Sequence, residues 1–262
     1  MKESKNTPQP KKFKILLLGD SCEDIYKYGN CERLNPEAPV PILKIERVVE
    51  REGMADNVYN NLLALGCDVT YYTNIAKISK IRFIDSKSGY QLLRVDYDIE
   101  VPPLKQKLDY TGYDAVVISD YDKGYITYEQ IEDVRRRFNG VIFIDTKKRD
   151  LARLEGCFIK INSSEFDNAK SFPDGVPSGL IVTMGKRGAR YNDVIYPAPV
   201  VEVFDVCGAG DTFLAALAYG YLETNNIEKA IKFANIASSI TVQHEGVYAP
   251  TLEEVNAIKR NG

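Results

Sequence analysis

The chain has 262 residues, of which 44% are hydrophobic, and a formal net charge of −3. That length suits one α/β domain with a sizeable core, and that composition excludes a disordered chain. The slightly acidic balance supplies no global basic field, so neither nucleic acid nor an acidic membrane is expected as a partner.

Residues 1–12 are polar and basic with two prolines and no apolar signal core, and read as a flexible N-terminal tail. Ile15–Leu18 reads as the first buried strand, with Asp20 and Asp24 following its end. Val40–Val49 and Lys80–Tyr97 contain alternating or β-branched residues with turn signals such as Ser88-Gly89. These two stretches, about 38–50 and 80–98, are expected as strands of a small separate sheet. Asn57–Leu65 between them has helical spacing and stops at Gly66. Ala115–Ile118, Val141–Ile144, Phe158–Ile161 and Leu180–Thr183 are further short apolar runs, each ending in a small or polar residue. That is how parallel strands end in open α/β sheets. Thr127–Phe138, Asp211–Leu222 and Ile227–Gln243 are predicted helices, with a break at Thr224–Asn226 and Asn226 placed to cap the last.

Five cysteines stand at 22, 31, 67, 157 and 207, odd in number and without a C-x-x-C pair. A reducing, cytoplasmic setting fits them better than a disulfide framework. The single histidine, His244, is expected on a loop or the surface, and no apolar run approaches the roughly 20 residues that cross a bilayer.

The most informative segment is Phe204-Asp205-Val206-Cys207-Gly208-Ala209-Gly210-Asp211-Thr212-Phe213. Small residues let backbone N–H groups approach a ligand closely, and at a helix start those donors are unsatisfied. Gly208, Ala209 and Gly210 therefore suit an anion such as a transferring phosphoryl group. Asp211 is placed to accept a proton from an attacking hydroxyl, and helix polarity is expected to keep it ionised. The plainer alternative is an acid that only caps a helix. The segment is neither a Walker A loop nor a dinucleotide G-x-G-x-x-G.

The D-x-x-G-A-G-D-T segment resembles the signature of the PfkB, or ribokinase-like, carbohydrate kinases. The resemblance continues in family order from Lys14 onward and lies nearest the heptose-7-phosphate kinase branch. Its carriers are Leu18-Gly19-Asp20 through Asp24 with Tyr28-Gly29, and Arg33-Leu34-Asn35-Pro36-Glu37-Ala38-Pro39-Val40-Pro41. Next come Gln91-Leu92-Leu93-Arg94-Val95-Asp96, Ser119-Asp120-Tyr121-Asp122-Lys123-Gly124 and Asp145-Thr146-Lys147. Asn162-Ser163-Ser164-Glu165-Phe166, Val182-Thr183-Met184-Gly185 with Gly188, and Phe233-Ala234-Asn235 complete the series.

The resemblance implies that residues 13–262 form a ribokinase-like α/β domain, with a mostly parallel central sheet, helices on both faces and a small β-sheet lid. It implies ATP-dependent phosphorylation of a sugar hydroxyl, with the anomeric hydroxyl of a heptose 7-phosphate as the acceptor, and Mg²⁺ as the accompanying ion. Asp211 becomes the base, with Gly208, Ala209 and Gly210 as the anion hole. Asp20, Asp24 and Asn57 become sugar contacts; for Asp20 the alternative is a turn cap, and for Asn57 a plain N-cap. Arg33, Arg51, Arg82, Arg94, Lys123 and Lys147 are candidates for anion contact. Of these Lys147 is assigned to the nucleotide, together with Asn162, Thr183, Gly185, Gly188 and Asn235, and Glu165 to the metal. An exposed lid face implies a homodimer. Other readings are a kinase of the same family for another sugar or a nucleoside, and a non-catalytic sugar- or nucleotide-binding homologue. The chain departs from the family at Met54, which replaces the second glycine of a hinge, and at Asp56. It is also short at Ile75–Ser79 and between Phe166 and Leu180.

Overall fold

The computed structural model describes residues 12–174 and 179–261. The expected tail lies outside the described residues except at Lys12, as does the end of the loop at 172–177.

The chain begins with β1 (Lys14–Gly19), whose side chains alternate between two cores: Ile15 and Leu17 face one, Leu16 and Leu18 the other. A strand covered on both faces needs apolar residues at every position, which is why KILLLG was readable as a run. Next come β2 (Ser21–Leu34), β3 (Pro41–Met54), α1 (Ala55–Ala64) and β4 (Asp68–Thr73). β5 (Ile78–Asp85), β6 (Gln91–Tyr97), β7 (Ala115–Asp120) and α2 (Tyr128–Arg137) follow. The middle of the chain forms β8 (Val141–Thr146), β9 (Phe158–Asn162), α3 (Ser163–Asp167) and β10 (Leu180–Thr183). The last elements are β11 (Ala189–Tyr191), β12 (Val194–Tyr196), α4 (Ala209–Thr224), α5 (Ile227–Thr241) and α6 (Leu252–Asn261).

The large sheet has the order β12-β11-β10-β9-β8-β7-β1-β4, parallel from β4 to β10 with an antiparallel pair at one edge. One face carries α1, α4, α5 and α6 through Val58, Leu62, Leu214, Leu217, Ile231 and Val255. The other carries α2 through Ile131 and Val134, with Leu151 and Leu154 of a short 3₁₀ turn. Because β1 lies between β4 and β7, the chain reverses direction across the sheet there. The crevice outside the strand ends at such a switch point is where open α/β sheets bind ligands.

The small sheet has the order β3-β2-β5-β6. Its two expected segments are present, as β3, β5 and β6, but β2 corrects the sequence reading. Ser21–Leu34 is a full strand of the small sheet rather than the turn after β1. It is half-buried along most of its length, exposed only over its last three residues, and has no apolar run, so periodicity gave no signal. β2 leaves β1 across Asp20 alone, and β3 enters α1 at Met54, where Ser21 pairs with Met54. These adjacent crossings tie the small sheet to the large one. Met54 is buried with φ 60° and ψ −125°, a backbone region that favours glycine. The short segments are also realised: β4 reaches β5 through residues 74–77, and no helix is described between α3 and β10.

Candidate active site

α4 opens at Gly208, whose φ of +74° is a left-handed conformation that suits glycine. The helix is buried on all sides from Asp211 to Gly220, so its first turn is held firmly between sheet and α5. Asp211 lies in that turn and is 4% exposed. Asn57 Nδ2 donates to its Oδ2 at 3.1 Å, and the Tyr121 hydroxyl donates to its Oδ1 at 2.8 Å. Burial raises its pKa from 3.8 to about 6, with further upward pressure from Asp145, against the lowering effects of Tyr121, Lys160 and Asn57. Helix polarity was expected to dominate, but desolvation of a fully enclosed carboxylate outweighs it. Above that pH Asp211 is still an ionised base. Asn57 is not an N-cap, because α1 is preceded by Met54 and Asn57 already lies inside the helix.

Asp20 is fully buried and accepts the backbone N–H of Tyr121 at 2.7 Å and of Lys123 at 3.4 Å. It therefore braces the turn after β7, the alternative reading, rather than facing an open surface. Asp24 on β2 receives Arg82 Nη2 at 3.1 Å, and both side chains are largely buried. Arg82 and Arg51 lie over the Tyr26 ring, 5.6 Å and 5.4 Å from its centroid. Arg51 packs so tightly on Gly246 that a Cβ there would stand 1.7 Å from its Nη1. Gly246 N–H in turn donates to Asp205 Oδ2 at 2.9 Å, so this face of the small sheet meets the loop that opens α4.

The outer cations are placed differently. Arg33 is exposed near the end of β2. Arg94 makes two 2.8 Å hydrogen bonds to Asp96, and Lys123 pairs with Asp98 at 2.7 Å. Asp56, a departure from the family pattern, accepts the Tyr71 hydroxyl at 2.9 Å, and burial raises its pKa to about 6.

Thr183, Gly185, Gly188, Asn235, Ala209 and Gly210 line one cavity of about 360 Å³. Asn235 Nδ2 donates to Tyr196 O at 2.8 Å and so secures part of its wall. Val200, Val203 and Val206 give the cavity an exposed apolar lip. Lys147 and Asn162 are not part of that lining. Asn162 is the N-cap of α3, with Glu165 completing a reciprocal capping box. Glu165 accepts the Asn162 N–H at 2.8 Å with one oxygen and pairs with Lys147 through the other. Among the described residues no group of three or more His, Cys, Asp or Glu gathers around a metal position. Glu165, already engaged by the Asn162 N–H and by Lys147, offers one carboxylate, a donor compatible with a Mg²⁺ ion held mainly by water and phosphate oxygens.

Three residues escaped the sequence reading. Tyr121 and Asp145 lay inside motifs used only for their lysines. Lys160 is 4% exposed, donates to Asp145 Oδ2 at 2.6 Å, and lies 3.0 Å from where a Cβ on Gly210 would stand. A lysine inside the apolar run Phe158–Ile161 was the available signal.

Among solved structures the fold is that of ribokinases. The ribokinase of Thermotoga maritima superposes with a TM-score of 0.71 at 19% identity, covering 95% of this chain and all of that one (100%). The Arabidopsis thaliana ribokinase complexed with ribose and ATP gives 0.71 at 15%, over 95% and 99% of the two chains. The family model for pfkB family carbohydrate kinases matches residues 131–254. In sequence the chain is 32% identical to the bifunctional protein HldE of a Nitratiruptor species, over 95% of this chain and 66% of the relative. It is 30% identical to HldE of Helicobacter acinonychis, over 94% and 66%. The chain thus spans just under two thirds of the length of these curated relatives. The chain thus contains a pfkB family carbohydrate kinase domain and is similar to HldE over most of its length.

Proposed function

We propose that the chain transfers the γ-phosphoryl group of ATP to a sugar hydroxyl, with the anomeric hydroxyl of a heptose 7-phosphate as acceptor. The observation that supports this most directly is Asp211. It is a buried carboxylate gripped on both oxygens, next in the chain to Gly210, which lines an open cavity together with Ala209. An ionised Asp211 takes the proton of the attacking hydroxyl. The N–H groups at the start of α4 receive the phosphoryl oxygens, where orphan donors and the helix dipole favour negative charge. Positioning and charge stabilisation are most of what phosphoryl transfer requires. Mg²⁺ bound with ATP would neutralise phosphate charge, with Glu165 and Lys147 as the nearby groups that adjust to it. The cavity with Thr183, Gly185, Gly188 and Asn235 takes the nucleoside, its apolar lip facing the base. Asp24 and Asn57 contact the sugar, and the small sheet acts as the lid that excludes water.

The heptose assignment rests on the motifs around Arg33, Arg94 and Lys123 and on likeness to HldE. Arg94 and Lys123 engage carboxylates in this structure, so substrate phosphate would have to displace Asp96 and Asp98. An exposed ion pair is worth about 0–1 kcal/mol and a desolvated charge-assisted contact roughly 1.5–3 kcal/mol, so the exchange is favourable. Alanine at each position should raise KM for the phosphosugar about 10- to 100-fold for at least one of the three, with KM for ATP nearly unchanged. Met54 at the crossing into α1 supports a second reading, a kinase of the same family with a different acceptor. A transfer assay over heptose, hexose and pentose phosphates, their unphosphorylated sugars and nucleosides separates the two. Preference for heptose 7-phosphate is expected. Equal use of the unphosphorylated sugar would remove the heptose-phosphate assignment and leave a broader sugar kinase.

A further inference from the structure

Tyr121 is the first residue after β7, yet its hydroxyl reaches Asp211 Oδ1 at 2.8 Å. The turn that carries it is tied down on both sides. Asp20 Oδ2 accepts its backbone N–H at 2.7 Å, and Asp120 Oδ1 accepts the next N–H, from Asp122, at 3.0 Å. Lys148 then bridges Asp120 and Asp122, at 3.3 Å and 2.6 Å. Lys147 Nζ stands 5.2 Å and Lys80 Nζ 5.7 Å from the centroid of the Tyr121 ring, the latter from β5 of the small sheet. So much anchoring on a phenol whose hydroxyl donates to the candidate base calls for a role beyond packing.

We propose that Tyr121 is a positioning residue for proton abstraction: it pins Oδ1 of Asp211 and leaves Oδ2, held by the Asn57 amide at 3.1 Å, to meet the acceptor hydroxyl. The proposal rests on the reading of Asp211 as the base. In the step, the acceptor O–H bond breaks and its proton passes to Asp211. The acceptor oxygen bonds to the γ-phosphorus, and the bond from that phosphorus to the leaving ADP oxygen breaks. Tyr121 keeps its own proton throughout, because burial and the neighbouring Asp211 and Asp145 carboxylates raise its pKa well above the ordinary phenol value. It is therefore a donor at every pH of interest. The other groups facing Asp211 are Asn57 from α1, Asp145 from β8, Lys160 from β9, Lys147 after β8 and Cys22 from β2. Of these Asp145 works against the ionised carboxylate, while Lys160 and Asn57 support it as Tyr121 does.

Tyr121→Phe removes only the hydroxyl and tests the idea. Loss of a hydrogen bond to a charged group should move the acid limb of kcat upward by about one pH unit. The fall in kcat should then be about tenfold larger below the wild-type limb than on the alkaline plateau, with KM for ATP unchanged. A purely structural role predicts a parallel loss at every pH, and that result, or an unchanged profile, would overturn the proposal. A second readout needs no turnover: carbon NMR titration of aspartate carboxyls, with the Asp211 signal assigned by its absence in Asp211→Asn. The Asp211 pKa should rise in Tyr121→Phe, and identical titrations would again overturn the contact. Failure of the underlying reading looks different, since Asp211→Asn would then turn over normally whatever Tyr121→Phe does.

Discussion

Asp211 sits where burial and function oppose each other. Its folded pKa of about 6 exceeds the reference 3.8, so the folded state binds this proton more tightly than the unfolded chain does. The stabilising contribution is therefore complete below the unfolded pKa and is lost as pH rises through about 6. At neutral pH the ionised carboxylate is a net cost. Asp211→Asn should stabilise the protein at pH 7 by on the order of 2 kcal/mol, and the gain should fade toward pH 4. Urea midpoints of the two proteins across that range check this; a destabilised variant at neutral pH would show that Asp211's hydrogen bonds outweigh its desolvation. Gly210 makes a second residue-scale test. A side chain there meets Lys160 Nζ, itself held at 2.6 Å by Asp145, so valine must displace one or block the anion hole. Gly210→Val should lower kcat by at least about 100-fold while the protein still folds, as seen by far-UV circular dichroism. Asp211 and its glycines were legible in the sequence because one helix start holds them all. Tyr121 and Lys160 were not, because their neighbours come from residues far away in the chain.

At the scale of elements, Met54 joins β3 to α1 with positive φ while its side chain is buried. A non-glycine residue in such a region stores roughly 1–3 kcal/mol. Both Met54→Ala and Met54→Gly lose the buried side chain, about 2–5 kcal/mol, but only glycine relieves the backbone. Met54→Gly should therefore be the more stable of the two, the reverse of the usual order. Thermal melts decide it, and an alanine variant as stable as the glycine one would mean the crossing carries no strain. The strands β1, β7, β8, β9 and β10 were readable because each is apolar along most of its length. β2 was not, because tyrosines, charges and cysteines are mixed along it with no apolar run, and only its pairing with β3 and β5 makes it a strand. The loop from Val200 to Val206 shows the same limit. Val200, Val203 and Val206 are exposed and matter through the cavity they line, which no local pattern announces.

At the scale of the molecule, the small sheet exposes Ile45, Val48, Leu92, Leu93 and Tyr97, and its outer strands β3 and β6 have open edges. Exposed apolar side chains on the edge strands, beside unpaired backbone groups, are a liability that a symmetric partner removes. We propose a homodimer through this sheet. Sedimentation at micromolar concentration should give a dimer that Leu93→Asp weakens; a wild-type monomer would sink the proposal. Dimer formation and lid closure share the same four strands, so losing the dimer should raise KM for the sugar more than KM for ATP. All of this depends on Asp211 being the base in a sugar-phosphorylating site. The direct measurement is kcat for transfer from ATP to heptose 7-phosphate by the wild type and by Asp211→Asn, with ATP affinity measured alongside. If Asp211 is the base, kcat should fall about 10²- to 10⁴-fold in the variant with ATP binding nearly unchanged. Near-normal turnover by Asp211→Asn would contradict it.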